Sequence, residues 1–197
     1  MSNCSIGTFG DSTSRNCVAQ CPNVSTTGTS TFYGDTSTGQ YVCVAICPIL
    51  PALFGRNDTN RCVTTCPIPN YGDQTGNRSC VPTCPIISGV VYFAQNTSRI
   101  CVTVCITGTW GYTAYQECVE TPINCLAQWA DNTTNLCVSI CPATAGTFAD
   151  PTTKFCVTTC PNTYYSDYSQ RMCVQACPSN VYIHGTFGNN QTKICEE

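Results

Sequence analysis

The chain has 197 residues, 8 Lys plus Arg against 11 Asp plus Glu, and a formal charge of −3. It therefore offers no basic surface for phosphate backbones, and nucleic acid is excluded as an expected partner. Only 10% of residues are charged, and 20 of those counted as hydrophobic are cysteines, so the aliphatic core is thin. Cysteine at about one residue in ten marks a disulfide scaffold made outside the reducing cytosol, extracellular or at a cell surface.

Met1-Ser2-Asn3-Cys4 leads straight into patterned sequence with no basic start and no apolar core, so a secretion leader is expected elsewhere. One unit then recurs: C-V-x-x-C-P, a polar stretch, an aromatic beside Gly, Ala or Asp, a Thr/Ser/Asn-rich turn, and the next C-V. It begins at Cys17, Cys43, Cys62, Cys80, Cys101, Cys118, Cys137, Cys156 and Cys173, with spacings from one C-V to the next of 17 to 26 residues. The inserts are assigned to the loop between CP and the aromatic. The copy Cys118 to Cys125 is irregular, with two extra residues and no proline after its second cysteine. Tyr41–Phe54 is the most apolar run, but Pro48 and Pro51 break it and it is too short to span a bilayer.

Each stretch before a C-V predicts a β-hairpin, as in Phe9–Val18, Phe148–Val157 and Tyr164–Val174. Asp11, Asp131, Asp150 and Asp167 each stand six residues before a cysteine, where an Asp side chain bonds its own turn. A lone hairpin is marginal in water, so each needs a staple and a neighbour. The expected fold is small, disulfide-rich and mainly β: a linear array of about ten short hairpins forming an elongated rod without a large hydrophobic core. At about 4.8 Å per strand a single ribbon of ten hairpins would run roughly 100 Å.

Sequence cannot formally fix the connectivity of twenty cysteines. The phase of the repeat favours joining each second cysteine to the next first one: Cys4-Cys17, Cys21-Cys43, Cys47-Cys62, Cys66-Cys80, Cys84-Cys101, Cys105-Cys118, Cys125-Cys137, Cys141-Cys156, Cys160-Cys173 and Cys177-Cys195. The same pairs bound the repeat units, 4–17 through 177–195, of one array over 1–197. An interlocked second-to-second scheme is the rival. Zn(Cys)4 sites are the alternative use of the cysteines, disfavoured by the acidic chain and its one histidine.

N-glycosylation sequons stand at Asn3, Asn23, Asn57, Asn77, Asn96, Asn132 and Asn190. Four of them, Asn57, Asn96, Asn132 and Asn190, lie five residues before the first cysteine of a pair, in the expected hairpin turn. Covalent N-glycans are expected there. The Thr/Ser-rich loop Ser25 to Thr38 is read as unmodified polar loop.

The pattern C-P-x(n)-F/Y-G/A-D-x-x-T-x-x-C-V-x-x-C resembles the furin-like, growth-factor-receptor cysteine-rich repeats, most closely the long tandem arrays of ciliate and other protist surface proteins. It departs from many protist antigens in its C-x-x-x-C spacing. The resemblance implies an extracellular, disulfide-bonded, often glycosylated rod, and no particular ligand.

Catalytic chemistry has little to work with, and no enzyme is expected. His184, the single histidine, sits in a variable loop. Glu117, Glu120, Glu196 and Glu197 are scattered or terminal, no run matches a Ca²⁺ loop, and C-x-x-x-C is not the redox spacing. No cofactor or metal is expected. Trp110 and Trp129 are read as covering a local apolar patch rather than stacking sugars. Joining Glu196-Glu197 to Met1-Ser2-Asn3 gives C-EEMSN-C, close in length to C-VETPIN-C, so the chain reads as a window of a longer array or a filament unit that self-associates head to tail. The leading expectation is an extracellular structural protein of a coat, appendage or filament; the alternative is an adhesin or receptor-type binding module.

Overall fold

The computed structural model describes residues 4–22, 32–179 and 185–196. Asn3, Asn23, His184 and Glu197 lie outside them, as does half of the Ser25 to Thr38 loop. The chain is mainly β, a disulfide-rich array of short hairpins, and it divides into two compact units, 1–103 and 104–197. No helix is long and apolar enough to cross a membrane among the described residues.

Among the described residues the first unit holds five repeat hairpins: Phe9–Asp11 with Asn16–Val18, Tyr33–Asp35 with Val42–Val44, Phe54–Arg56 with Arg61–Val63, Tyr71–Gly72 with Cys80–Val81, and Phe93–Gln95 with Ile100–Val102. The second unit holds Trp110–Tyr112 with Glu117–Val119, Trp129–Asp131 with Leu136–Val138, Phe148–Ala149 with Cys156–Val157, Tyr165–Asp167 with Met172–Val174, and Phe187–Gly188 with Cys195–Glu196. We number them repeats 1 to 10.

The register never varies. The aromatic faces the residue after the cysteine, as Phe9 faces Val18 and Tyr165 faces Val174, and the small residue beside the aromatic faces the cysteine itself, as Gly10 faces Cys17. This is why valine follows almost every first cysteine: a β-branched side chain opposite a ring suits a short antiparallel pair.

Consecutive hairpins join by a parallel contact. The first strand of one repeat lies beside the second strand of the next, at Gly10 with Val42, Gly34 with Arg61 and Gly72 with Ile100 in the first unit. In the second unit the contacts are Gly111 with Leu136, Ala130 with Phe155, Ala149 with Met172 and Ser166 with Ile194. Inner strands of two or three residues are thereby paired on both edges.

All twenty cysteines are bonded, each second cysteine to the next first one, from Cys4–Cys17 to Cys177–Cys195, across 12 to 22 residues. That leaves no thiolate for a metal. The core is correspondingly divided into small clusters of one ring, its cysteines and a small residue, such as Tyr71 with Cys84, Ala94 and Cys101, or Phe148 with Cys160 and Cys173.

The inserts are not confined to the loop after CP. The aromatic precedes its cysteine by eight residues in most repeats, but by ten in repeat 2 (Tyr33 to Cys43) and nine in repeat 4 (Tyr71 to Cys80), because their turns are longer. Repeat 5 is preceded by an extra hairpin, Ile86–Ile87 with Val90–Val91, and the two surplus residues of Cys118 to Cys125 wind into a 3-10 turn, Pro122–Cys125.

Candidate functional site: the joint between repeats

The most regular constellation in the molecule is the contact between one repeat and the next. It uses four positions: the ring, the small residue after it, the turn, and the residue two before the cysteine.

Within a unit, the ring of one repeat lies on the small residue of the following one. A Cβ added at Gly34 would meet the Phe9 ring at 2.5 Å; at Gly55 it would meet the Tyr33 ring at 2.5 Å, at Gly72 the Phe54 ring at 2.6 Å, and at Gly188 the Tyr165 ring at 2.6 Å. Glycine is required at these positions by the closeness of the ring. The small residue also donates its backbone N–H to the next repeat, from Gly34 to Asn60 O at 2.8 Å, Gly55 to Arg78 O at 2.7 Å and Ala149 to Arg171 O at 2.8 Å.

The accepting residue stands two before the cysteine and adopts left-handed backbone: Asn60, Arg78, Arg99, Asn135, Lys154, Arg171 and Lys193 all have φ between 43° and 65°. That conformation costs a non-glycine residue about 1 kcal/mol, and here the side chain offsets it. Arg78 lies 5.1 Å above the Phe54 ring, Arg99 4.1 Å above Tyr71, Lys154 4.4 Å above Trp129, Arg171 4.5 Å above Phe148, and Lys193 5.3 Å above Tyr165. Each of these five rings thus has a cation over it, a contact that contributes about 0.5–2 kcal/mol. The guanidinium also donates to the carbonyl preceding its ring, from Arg78 to Leu53 O, Arg99 to Asn70 O and Arg171 to Thr147 O. Six of the chain's eight Lys and Arg occupy this position.

The turn is organised by a carboxylate. Asp11 accepts from Thr13 N, Ser14 N and Ser14 Oγ; Asp150 accepts from Thr152 N, Thr152 Oγ1 and Thr153 Oγ1; Asp131 and Asp167 do the same. Asp35 and Asp73 play this part in the longer turns, and Asn189 in repeat 10. The Ser14 hydroxyl and the Thr13 amide hold Asp11 below the ordinary carboxylate range. Burial raises Asp150, but the Thr153 and Thr152 hydroxyls and the Thr152 amide outweigh it and leave the group lowered. A folded-state value below the unfolded one means the contribution is present above about pH 4 and is lost as pH falls through the folded value. Thermal midpoints are therefore expected to be level from neutrality to about pH 5 and to drop below pH 4, with Asp150→Asn flattening part of that drop; an acid limb identical in the variant would contradict this assignment.

The four sequons in the turn meet the ring of the preceding repeat. Tyr33 Oη donates to Asn57 Oδ1 at 2.6 Å, Tyr71 Oη to Asn96 Oδ1 at 2.7 Å, Trp110 Nε1 to Asn132 Oδ1 at 3.1 Å, and Tyr165 Oη to Asn190 Oδ1 at 2.6 Å. All four asparagines, and Asn77, are exposed. Trp110 and Trp129 are both joint rings, the first packed on Cys125, Ala130 and Cys137 with Phe155 at its edge, the second beside Cys141 and Ala149.

Glu117 and Glu120 are exposed, and Glu196 accepts from Asn189 and Thr192, which lower it; the structure brings none of them together. Among the described residues no three His, Cys, Asp or Glu side chains gather in a way that could hold a metal ion. An open depression of about 660 Å³ in the first unit is lined by Gln20, Thr36, the Arg56–Asp58 ion pair (2.6 Å) and Arg61. The small residue is part of the repeat pattern, but its contact with the preceding ring is not written in it, nor is the basic residue two before the cysteine. The signal for the latter is that six of the chain's eight Lys and Arg recur at that one position.

These features define a cysteine-rich repeat protein whose repeats are joined by a ring, a small residue and a cation. No protein family, curated protein or solved structure matches the chain.

Proposed function

We propose that the chain is an extracellular structural protein and not an enzyme: a glycosylated, disulfide-stapled array of the furin-like, growth-factor-receptor kind found in protist surface proteins, serving a surface coat, appendage or filament. Copies assemble head to tail through the same joint that links the repeats. The disulfides support an oxidising compartment. The observation that supports continuation of the array, by further repeats of a longer chain or by a second copy, is the complementarity of repeats 1 and 10. Phe187, the ring of repeat 10, is 68% exposed, whereas the other nine rings are buried or half-buried. Gly10, the small residue of repeat 1, meets no ring; its nearest atoms are Cys4 Sγ and Tyr41 O at 3.6 Å. Arg15 already holds the left-handed backbone, φ 57°, of a residue that covers a ring.

Gly10→Val blocks the head and Phe187→Asp the tail, each at a position the isolated chain tolerates. Wild-type protein is expected to grow in mass with concentration in light scattering, either variant alone to remain monomeric, and their mixture to stop at one-to-one dimers, since each supplies the end the other lacks. Monomeric wild type, or variants that still polymerise, would overturn the head-to-tail joint.

A binding module, adhesin or receptor-like, is the second reading. It is supported by apolar side chains exposed where C-x-x-x-C-P turns the chain: Ile46, Ile49, Leu50 and Ile68 in the first unit, Val104, Ile106 and Ile140 in the second.

A further inference from the structure

The sequons of the hairpin turn are matched to the chemistry of the ring behind them. Where the ring carries a donor, as in Tyr33, Tyr71, Trp110 and Tyr165, the facing turn residue is Asn57, Asn96, Asn132 or Asn190, and each opens an N-x-S/T triplet. Where the ring is Phe9, Phe54 or Phe148, the corresponding position of the next repeat, three after its own ring, holds Thr36, Gln74 or Tyr168. Trp129 is the exception, with Pro151 at that position of the next repeat.

The indole decides how the amide lies. Trp110 Nε1–H can only donate, so Asn132 must present Oδ1 to it and turn Nδ2 away. The tyrosines hold their asparagines in the same sense, with Oδ1 as the acceptor. An N-glycan is carried on Nδ2 and leaves Oδ1 free to accept, so ring and glycan use opposite ends of one side chain.

We propose that Asn57, Asn96, Asn132 and Asn190 are built N-glycan sites, in which the ring of the preceding repeat grips the linkage amide and fixes the direction in which the sugar leaves the surface. This rests on the reading of the chain as an extracellular glycoprotein and assigns it defined attachment points. The alternative is that asparagine serves the ring alone and carries no sugar. Asn77 lies three residues before Cys80 rather than five, outside the pattern, and serves as the internal control.

The chain is to be expressed through a secretory pathway, its site occupancy mapped by peptide mass spectrometry, and the native glycoprotein treated with a peptide N-glycanase, which hydrolyses the bond at Nδ2. All four sites are expected to be occupied. Tyr71→Phe, which keeps the ring and loses the donor, is expected to speed release at Asn96 about fivefold, the worth of one neutral hydrogen bond, and to leave Asn77 unchanged. Ser98→Ala is expected to remove the glycan at Asn96 and leave the joint intact, with an unaltered thermal midpoint. Glycan at Asn77 with the four sites bare, or an unaltered rate at Asn96 in Tyr71→Phe, would overturn the inference alone. A chain bare at every sequon would also overturn the glycoprotein reading beneath it.

Discussion

Reducing agent without denaturant is expected to abolish the native state of both units. The strands are two or three residues long, the apolar clusters hold one ring each, and cysteine sulfur supplies much of what is buried. Closing a loop of about 15 residues contributes roughly 3 kcal/mol in the chain-entropy picture, so a few of these loops match the whole net stability of an ordinary domain. The tryptophans report the loss. Trp110 packs on Cys125 and Cys137, which are bonded to each other across 12 residues. The double substitution Cys125→Ala with Cys137→Ala should lower stability by about 3 kcal/mol and shift tryptophan emission to longer wavelength, with proteolysis concentrated near repeat 7. Unchanged emission and protease resistance after full reduction would show that packing alone holds the fold.

The second large effect is expected at a glycine that no turn explains. Gly55→Ala places a methyl 2.5 Å from the Tyr33 ring, and that ring cannot retreat freely because its hydroxyl is held by Asn57. Overpacking of this kind costs about 1–3 kcal/mol, so the thermal midpoint should fall by several degrees. Gly10→Ala, with only 3.6 Å contacts, should leave the midpoint nearly level. Since joints couple only neighbouring repeats, native-state hydrogen exchange should quicken in repeats 2 and 3 and stay protected in repeats 8 and 9. Equal midpoints for the two variants would mean the ring does not sit where the joint requires it.

What the chain's own pattern discloses follows the distance over which each signal acts. Hairpins, turn carboxylates such as Asp11 and Asp150, and the repeat itself were legible because each is written within ten or so residues. Asp35 and Asp73 escaped because longer turns move them out of phase. The joint escaped for a different reason: its partners lie one whole repeat apart, as Tyr33 and Asn57 do at 24 residues or Arg171 and Thr147 at the same spacing. Comparing a repeat with its neighbour residue by residue, rather than superposing all repeats into one consensus, exposes them. Trp110 and Trp129 looked like local cover beside an irregular unit; in the folded chain they fill the same position as the tyrosines and phenylalanines.

The matching of ring to turn has a consequence for how such a chain is inherited. Each hairpin is compatible with its predecessor through its turn and with its successor through its ring, like a domino. Repeats 3, 5 and 10 have an asparagine in front and Phe54, Phe93 or Phe187 behind, while repeats 2, 4 and 9 have Thr36, Gln74 or Tyr168 in front and Tyr33, Tyr71 or Tyr165 behind. In the first unit, gene duplication or unequal crossing-over that gains or loses repeats 2 and 3, or 3 and 4, together keeps each tyrosine before an asparagine. Loss of repeat 3 alone leaves Tyr33 before Gln74, so this part of the array is expected to grow in pairs.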